Sequence, residues 1–399
     1  ISKTSLQHGS NQNRKEETGM NVLITGANGF VGKNLTARLE NIRDKKDTTL
    51  ALGEDLQILS YDLDTPPEKL SEYCEKADFV FHLAGVNRPK DAKEFMEGNF
   101  GFTSVLLDCL KQHRNKAPVL ITSSIQAERE NDYGKSKKAG EDLIFAYGKE
   151  NGVKTYVYRL PNVFGKWCRP NYNSAVATFC YNIARNLEIT VNDPSVIMNL
   201  VYIDDVVQEF LQALKGAENK QGDFCAIPVV HTIPLGEIAK LLYTFRESRR
   251  NLSVPDMSDA FTKKLYSTYL SYLPEQEFSY PLAMHEDMRG SFTEILRTAD
   301  RGQFSVNISK PGITKGNHWH DTKNEKFLVV SGKGVIRFRK IGASEILEYY
   351  VSGEKLEVVD IPVGYTHSIE NLGDTDMVTF MWCNECFDPD KPDTFFLEV

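Results

Sequence analysis

The sequence predicts an α/β, doubly wound parallel sheet followed by an all-β barrel. Two observations carry this reading. From Asn21 to about Leu273, apolar strand-like runs alternate with longer helical stretches; after about Pro274 the rhythm becomes period-2 alternation broken by Gly, Pro, Asn and Asp turns. Apolar strands separated by crossover helices imply a parallel sheet covered on both faces. Closely spaced alternating strands imply a small antiparallel barrel or sandwich.

In chain order, NVLITG (21–26) reads as the first strand and VGKNLTARLENI (31–42) as the helix after it. QILSYD (57–62), FVFHLAG (79–85), PVLITSS (118–124) and KTYVYRLP (154–161) follow as strands, with AGEDLIFAYGKEN (139–151) helical. The domains join near EQEFSYP (275–281), which gives a first domain over 20–273 and a second over 274–399. In the second, ISKPGITKG, VVSGKGVIRF, YYVSGEKLEVV and IPVGYTHSIENLGDTD alternate strand and turn. Residues 1–19 are polar and begin with Ile, so they read as a disordered leader or remnant before a natural start at Met20.

The 399 residues suffice for two or three domains, each with its own core. A net charge of −8 makes the surface repel nucleic acid, so an anionic substrate needs a locally basic pocket. No stretch approaches the roughly 18–20 apolar residues that span a bilayer, so no membrane insertion is expected. Seven thinly spread cysteines form no disulfide framework, and a cytoplasmic protein is expected. Cys383 and Cys386, a single C-x-x-C pair, read as incidental.

Gly26, Gly29 and Gly32 in TGANGFVG follow the first strand and open the first helix. There the chain must turn tightly and aim helix N-terminal amides at a pyrophosphate. Tyr133 and Lys137 lie four apart on one helical face, where an ammonium beside a phenol favours phenolate and makes the tyrosine a usable proton donor. Ser123 and Ser124 end the strand before them, at the edge where doubly wound sheets bind ligands. Asp62 ends the second strand, where a carboxylate bonds a ribose 2′-hydroxyl and favours NADH, although it stands 30 residues beyond Gly32.

Gly312, His318, His320, Glu325 and Gly332 fit G-x5-H-x-H-x4-E-x6-G. Two histidines separated by one strand residue share a face, so His318 and His320 can hold one metal. Glu325 and His367 complete a donor set suited to Zn2+, and also to iron, manganese or nickel.

TGANGFVG, HLAG (82–85), Asn99, TSS (122–124), Tyr133-x-x-x-Lys137 and RLPNVFG (159–165) resemble the extended short-chain dehydrogenase/reductase family, especially its nucleotide-sugar members. The resemblance covers about 20–273 and implies a Rossmann-like sheet with Tyr133 as catalytic acid/base. Lys137 would lower its pKa and hold the nicotinamide ribose, while Ser124, with Ser123 as runner-up, would bond the reacting carbonyl. It further implies cofactor contacts at Gly26, Asn28, Gly29, Phe30, Val31, Gly32, Asp62, Leu83, Ala84, Gly85, Asn99 and Pro161. Asn162, Arg169, Asn171 and Asn173 would face the substrate. Only eight residues separate Ser124 from Tyr133, a trimmed loop for this family.

The histidine pattern and PVGYTHSIEN resemble the two motifs of the cupin barrels, over about 281–399; Gly353 stands further before Pro362 than the second motif expects. A reductase of this kind joined to a zinc cupin is similar to bifunctional enzymes of capsular-polysaccharide synthesis. That resemblance implies a homodimer acting on a UDP-amino-sugar, with no nucleic-acid partner. The cupin would epimerise C3 of a UDP-2-acetamido-2,6-dideoxy-4-hexulose. The reductase would reduce its C4 ketone with NADPH to the L-talose product, on the route to UDP-N-acetyl-L-fucosamine. NADPH is the expected cofactor, and NADH stays open. The alternatives are a simple reductase with the cupin as a dimerisation module, and a non-enzymatic nucleotide sensor.

Overall fold

A computed structural model describes residues 19–50, 52, 55–89 and 91–399; the expected leader lies, except for Gly19, outside them. The chain forms two compact units. The first runs to Asn182 and takes in Glu188–Ala239 and Leu270–Tyr272; the second comprises Ile183–Leu187, Lys240–Tyr269 and Leu273–Val399. The change of strand rhythm near residue 273 therefore coincides with the last return of the chain to the first unit. The helical stretch 240–269, expected in the first domain, groups with the second unit.

In the first unit, β1 (Asn21–Thr25) pairs in parallel with both β2 (Gln57–Tyr61) and β3 (Phe79–His82). The sheet continues through β4 (Val119–Ser124) and β5 (Thr155–Leu160), in the order β2-β1-β3-β4-β5, before two short strands. The direction of winding reverses between β1 and β3, which opens a crevice at their carboxyl ends. α1 (Phe30–Arg43) covers one face by burying Leu35, Leu39 and Ile42, a helical period of apolar residues. Val22, Ile24, Phe79, Phe81 and Leu120 form the core on that side, while Leu23, Val80, Val119 and Ile121 point to the other. This alternation explains why the inner strands are apolar throughout.

Two helices on the second face matter to the site. α2 (Phe102–Gln112) buries Leu106, Leu107 and Leu110. α3 (Asp132–Asn151) starts earlier than its apolar period suggests, because the Asn131 side chain caps it by accepting from the Gly134 amide at 2.7 Å. That cap places Tyr133 in the first turn.

The second unit carries two antiparallel sheets. One has six strands in the order Met284–Asp287, Gly290–Thr298, Gly302–Ser309, Met377–Cys383, Glu325–Ser331, Val358–Ile361. The other has five, in the order Ile346–Ser352, Lys333–Lys340, Tyr365–Asn371, Thr314–Trp319, Phe395–Phe396. Phe327, Val329, Ile336, Phe338, Ile369 and Met377 pack together between them. Among the described residues no helix is long and apolar enough to cross a membrane.

Candidate functional site

The strand ends of the first unit surround a cleft of about 850 Å³. Gly26, Asn28, Gly29, Phe30, Val31 and Gly32 line one side, from the turn between β1 and α1. Gly26 has a φ of +72°, and a Cβ there would lie 2.6 Å from the Ala84 amide nitrogen, so only glycine lets the two loops meet. Leu83, Gly85, Pro161, Asn162, Arg169 and Asn173 also line the cleft, together with Ser123, Ser124, Tyr133 and Lys137.

Four expected contacts lie off it. Ala84 packs its backbone beneath Gly26. Asn99 is buried, accepting from the Val86 amide at 2.9 Å and donating to the Ser136 hydroxyl at 3.0 Å, so it braces the loop rather than facing a ligand. Asn171 adopts a φ of +53° and donates its amide to Thr178. Asp62 turns its carboxylate to the amides of Asn28 at 2.7 Å and Leu63 at 2.8 Å, which tie it to the glycine turn.

The two strand-end serines have different partners. Ser123 donates to Glu141 Oε1 at 2.6 Å, and Arg159 grips the same buried carboxylate with Nε at 2.8 Å and Nη2 at 2.7 Å. Ser124 accepts from the Gln126 amide at 3.2 Å as the N-cap of a single 3₁₀ turn, Ile125–Glu128. That turn fills half of the short Ser124–Tyr133 connection.

Tyr133 donates its hydroxyl to Asn87 Oδ1 at 3.0 Å and packs its ring against Phe95. Burial pushes its phenol up, and the Ser124 hydroxyl pulls it part of the way back. Lys137 directs Nζ to the Thr122 carbonyl at 3.3 Å, and that nitrogen lies 5.9 Å from the phenol ring centre. Burial pushes the Lys137 ammonium down to about 8, with the Glu141 carboxylate opposing. Tyr172, inside the Arg169–Asn173 stretch expected to face the substrate, also lines the cleft; Asn87, Phe95 and Trp167 line it too and escaped sequence reasoning. Asn87 stands two residues beyond HLAG, and no spacing rule singles it out.

In the second unit the four expected ligands converge, their donor atoms lying within 4.8 Å of one another. His318 stands directly opposite His367 across the Thr314–Trp319 and Tyr365–Asn371 strands, and Glu325 comes from the other sheet. A bulge at Gly316–Asn317, both at positive φ, re-aims the strand before its histidines. Glu325 Oε2 lies 3.3 Å from His367 Nε2 and 3.6 Å from His320 Nε2. His320 Nε2, Glu325 Oε2 and both His367 nitrogens are buried without a hydrogen-bond partner, and a bound cation would satisfy the first two and His367 Nε2. Burial, reinforced by His367 and His320, pushes His318 down to about 4, so it is neutral and available as a ligand. Burial raises the Glu325 carboxyl, but the facing imidazoles outweigh it and hold it at about 2.

Residues 22–226 match the NAD dependent epimerase/dehydratase family, and residues 285–395 match the polysaccharide biosynthesis C-terminal domain. The chain is 45% identical to the UDP-2-acetamido-2,6-beta-L-arabino-hexul-4-ose reductase of Pseudomonas aeruginosa, over 95% of this chain and 99% of that protein. It is 58% identical to the capsular polysaccharide assembling protein CapF of Staphylococcus aureus, with a TM-score of 0.89 over 95% of this chain and 100% of that one. The UDP-glucuronic acid 4-epimerase of Bacillus cereus, 21% identical with a TM-score of 0.51, shares the fold over 65% of this chain and all of its own. The chain belongs to the NAD dependent epimerase/dehydratase family, in the two-part form that CapF also has.

Proposed function

We propose that this chain is a bifunctional sugar-nucleotide enzyme. Its first unit reduces the C4 ketone of a UDP-2-acetamido-2,6-dideoxy-4-hexulose with NADPH, giving the UDP-2-acetamido-2,6-dideoxy-L-talose product. Its second epimerises C3 of the same 4-keto sugar. The product lies on the route to UDP-N-acetyl-L-fucosamine for capsular polysaccharide, and the enzyme works as a cytoplasmic homodimer. One observation carries the reductase: Tyr133, Lys137 and Ser124 share one cleft with the glycine turn, in a chain 45% identical to a named UDP-hexul-4-ose reductase.

Bound NADPH supplies hydride to C4. The chain supplies the rest. Tyr133 gives its proton to the C4 oxygen, Ser124 hydrogen-bonds that oxygen, and Lys137 holds the nicotinamide ribose. Asn162, Arg169 and Asn173 face the sugar nucleotide, and Arg169, stacked 5.1 Å from the Tyr172 ring, supplies the local positive charge that the acidic surface lacks. Asp62 spends both carboxylate oxygens on backbone amides, which weakens its claim on a ribose and supports NADPH over NADH.

His318, His320, Glu325 and His367 converge as a zinc ion needs, and His320, Glu325 and His367 offer buried, unpartnered donor atoms. Zinc there would polarise a sugar ketone as a Lewis acid. The C4 ketone acidifies the C3 proton, so both units act on one functional group. A second reading, a reductase with a purely structural metal module, draws on the count of four protein ligands, which can close a tetrahedral site. NMR analysis of products formed from the 4-keto sugar nucleotide by the full chain, with and without NADPH, tests both. Loss of the C3 proton to solvent without NADPH supports epimerisation; reduction with no exchange leaves only the reductase.

A further inference from the structure

His320 differs from the other ligands in the second unit because it stands just past the end of its strand, Thr314–Trp319. A side chain there owes its direction to whatever holds the following loop. That holder is Asp393, more than seventy residues later in sequence. Its backbone carbonyl accepts from His320 Nδ1. Its carboxylate accepts from three successive amides: Asp321 at 3.0 Å, Thr322 at 3.0 Å and Lys323 at 2.8 Å. The Thr322 hydroxyl lies 3.1 Å from the same carboxylate and shares its proton with Glu385 Oε1 at 2.8 Å. One residue thus grips both the imidazole and the loop that carries it.

The chain around Asp393 is itself anchored. Lys323 donates Nζ to the Pro392 carbonyl at 2.8 Å. Phe395 and Phe396 pair with Trp319 and His318 as the outer strand beside the ligands, and the Leu397 amide bonds Asn317 at 2.9 Å. Asp393 has a φ of +41°, an uncommon conformation for a residue with a side chain, and it places carboxylate and carbonyl on the same loop.

We infer that Asp393 is a positioning residue for the metal centre, fixing His320 with Nδ1 as donor so that Nε2 presents its lone pair to the cation. The inference rests on the zinc reading above and assigns the outer contact that selects the ligating nitrogen. Partners of this kind contribute about 10- to 100-fold in metal affinity. The carboxylate cap keeps the loop from swinging the imidazole away, and the carbonyl sets the tautomer.

Asp393→Gly removes the carboxylate at a position where glycine adopts positive φ without strain; Asp393→Asn keeps one accepting oxygen. Zinc affinity of the full chain, measured by competition with a chromogenic chelator, should fall about tenfold or more for glycine and less for asparagine. Hydrogen exchange of the zinc-free chain gives an independent readout: the Asp321–Lys323 amides should lose protection in the glycine variant. Zinc bound at wild-type affinity by Asp393→Gly overturns the inference and leaves the metal reading intact. A wild-type chain that takes up no zinc overturns the metal reading, and the inference with it.

Discussion

The Ser123 hydroxyl donates to the Glu141 carboxylate at 2.6 Å, inside an ion pair that Arg159 closes from the neighbouring strand. The bond separates two adjacent serines, of which the family resemblance ranks Ser124 first and Ser123 as runner-up. Ser123 is spent on the interior, and Ser124 is left beside Tyr133. Ser124→Ala should slow reduction by on the order of 10²-fold, as for loss of one donor to a developing oxyanion. Ser123→Ala should keep its rate and lose about 1 kcal/mol of stability, because Arg159 still satisfies Glu141. Steady-state rates and thermal unfolding of both variants check this. The opposite pattern assigns the carbonyl to Ser123.

Gly85 carries a second, steric prediction. A Cβ there would lie 2.9 Å from both Lys137 Nζ and Asn99 Oδ1. Lys137 is the flexible neighbour, so Gly85→Ala should displace its ammonium and leave the sheet folded. Reduction should drop at least tenfold with a melting temperature near wild type. An unchanged rate removes Lys137 Nζ from its assigned place.

The buried ammonium also predicts a pH dependence. Burial moves Lys137 from its ordinary 10.5 to about 8, so the group is charged below that pH and neutral above it. Reduction that needs the ammonium should decline as pH rises through about 8. Stability moves the other way. Between about 8 and 10.5 the unfolded chain keeps a proton that the native chain has released, so this group makes native stability rise with pH across that window. Below about 8 both states are charged and the burial cost is fully present. Lys137→Met should flatten both profiles, measured by rate and by denaturant unfolding.

Much of this was legible in sequence because it depends on local spacing. The glycine turn, the Tyr133–Lys137 period and the His318–His320 alternation each fix geometry within a few residues. Asp393 and Asn87 were not legible, since each reaches its partner across the chain, to His320 and to Tyr133. Asp62 and Asn99 show a related effect: a polar side chain at the expected position also bonds a nearby amide, and sequence does not show that competition. The unit grouping of 240–269 depends on tertiary packing, which helical periodicity leaves open.

The proposed metal centre predicts a stoichiometry. Four converging donors from two sheets should bind about one zinc per chain, read by elemental analysis of purified protein. His318→Ala should lose it, because removing one of four ligands leaves an open, weaker set. Full retention in that variant excludes His318 as a ligand.

The two proposed activities should separate, because their groups lie in different units. Tyr133→Phe removes the proposed proton donor to the C4 oxygen, a contribution of about 10²–10⁴-fold, and leaves the ligands of the second unit unchanged. NADPH consumption should stop while solvent deuterium still enters C3 of the 4-keto sugar. His320→Ala should reverse the pattern. It takes one ligand from the metal set and leaves Tyr133, Ser124 and the glycine turn in place, so slow reduction of the unepimerised ketone should persist after exchange is lost. NMR of the sugar and absorbance of the cofactor read the two outcomes from one sample. Deuterium entering C3 at the wild-type rate in His320→Ala would mean that the metal centre is not the epimerase, and the reading of the second unit as a structural module would then stand.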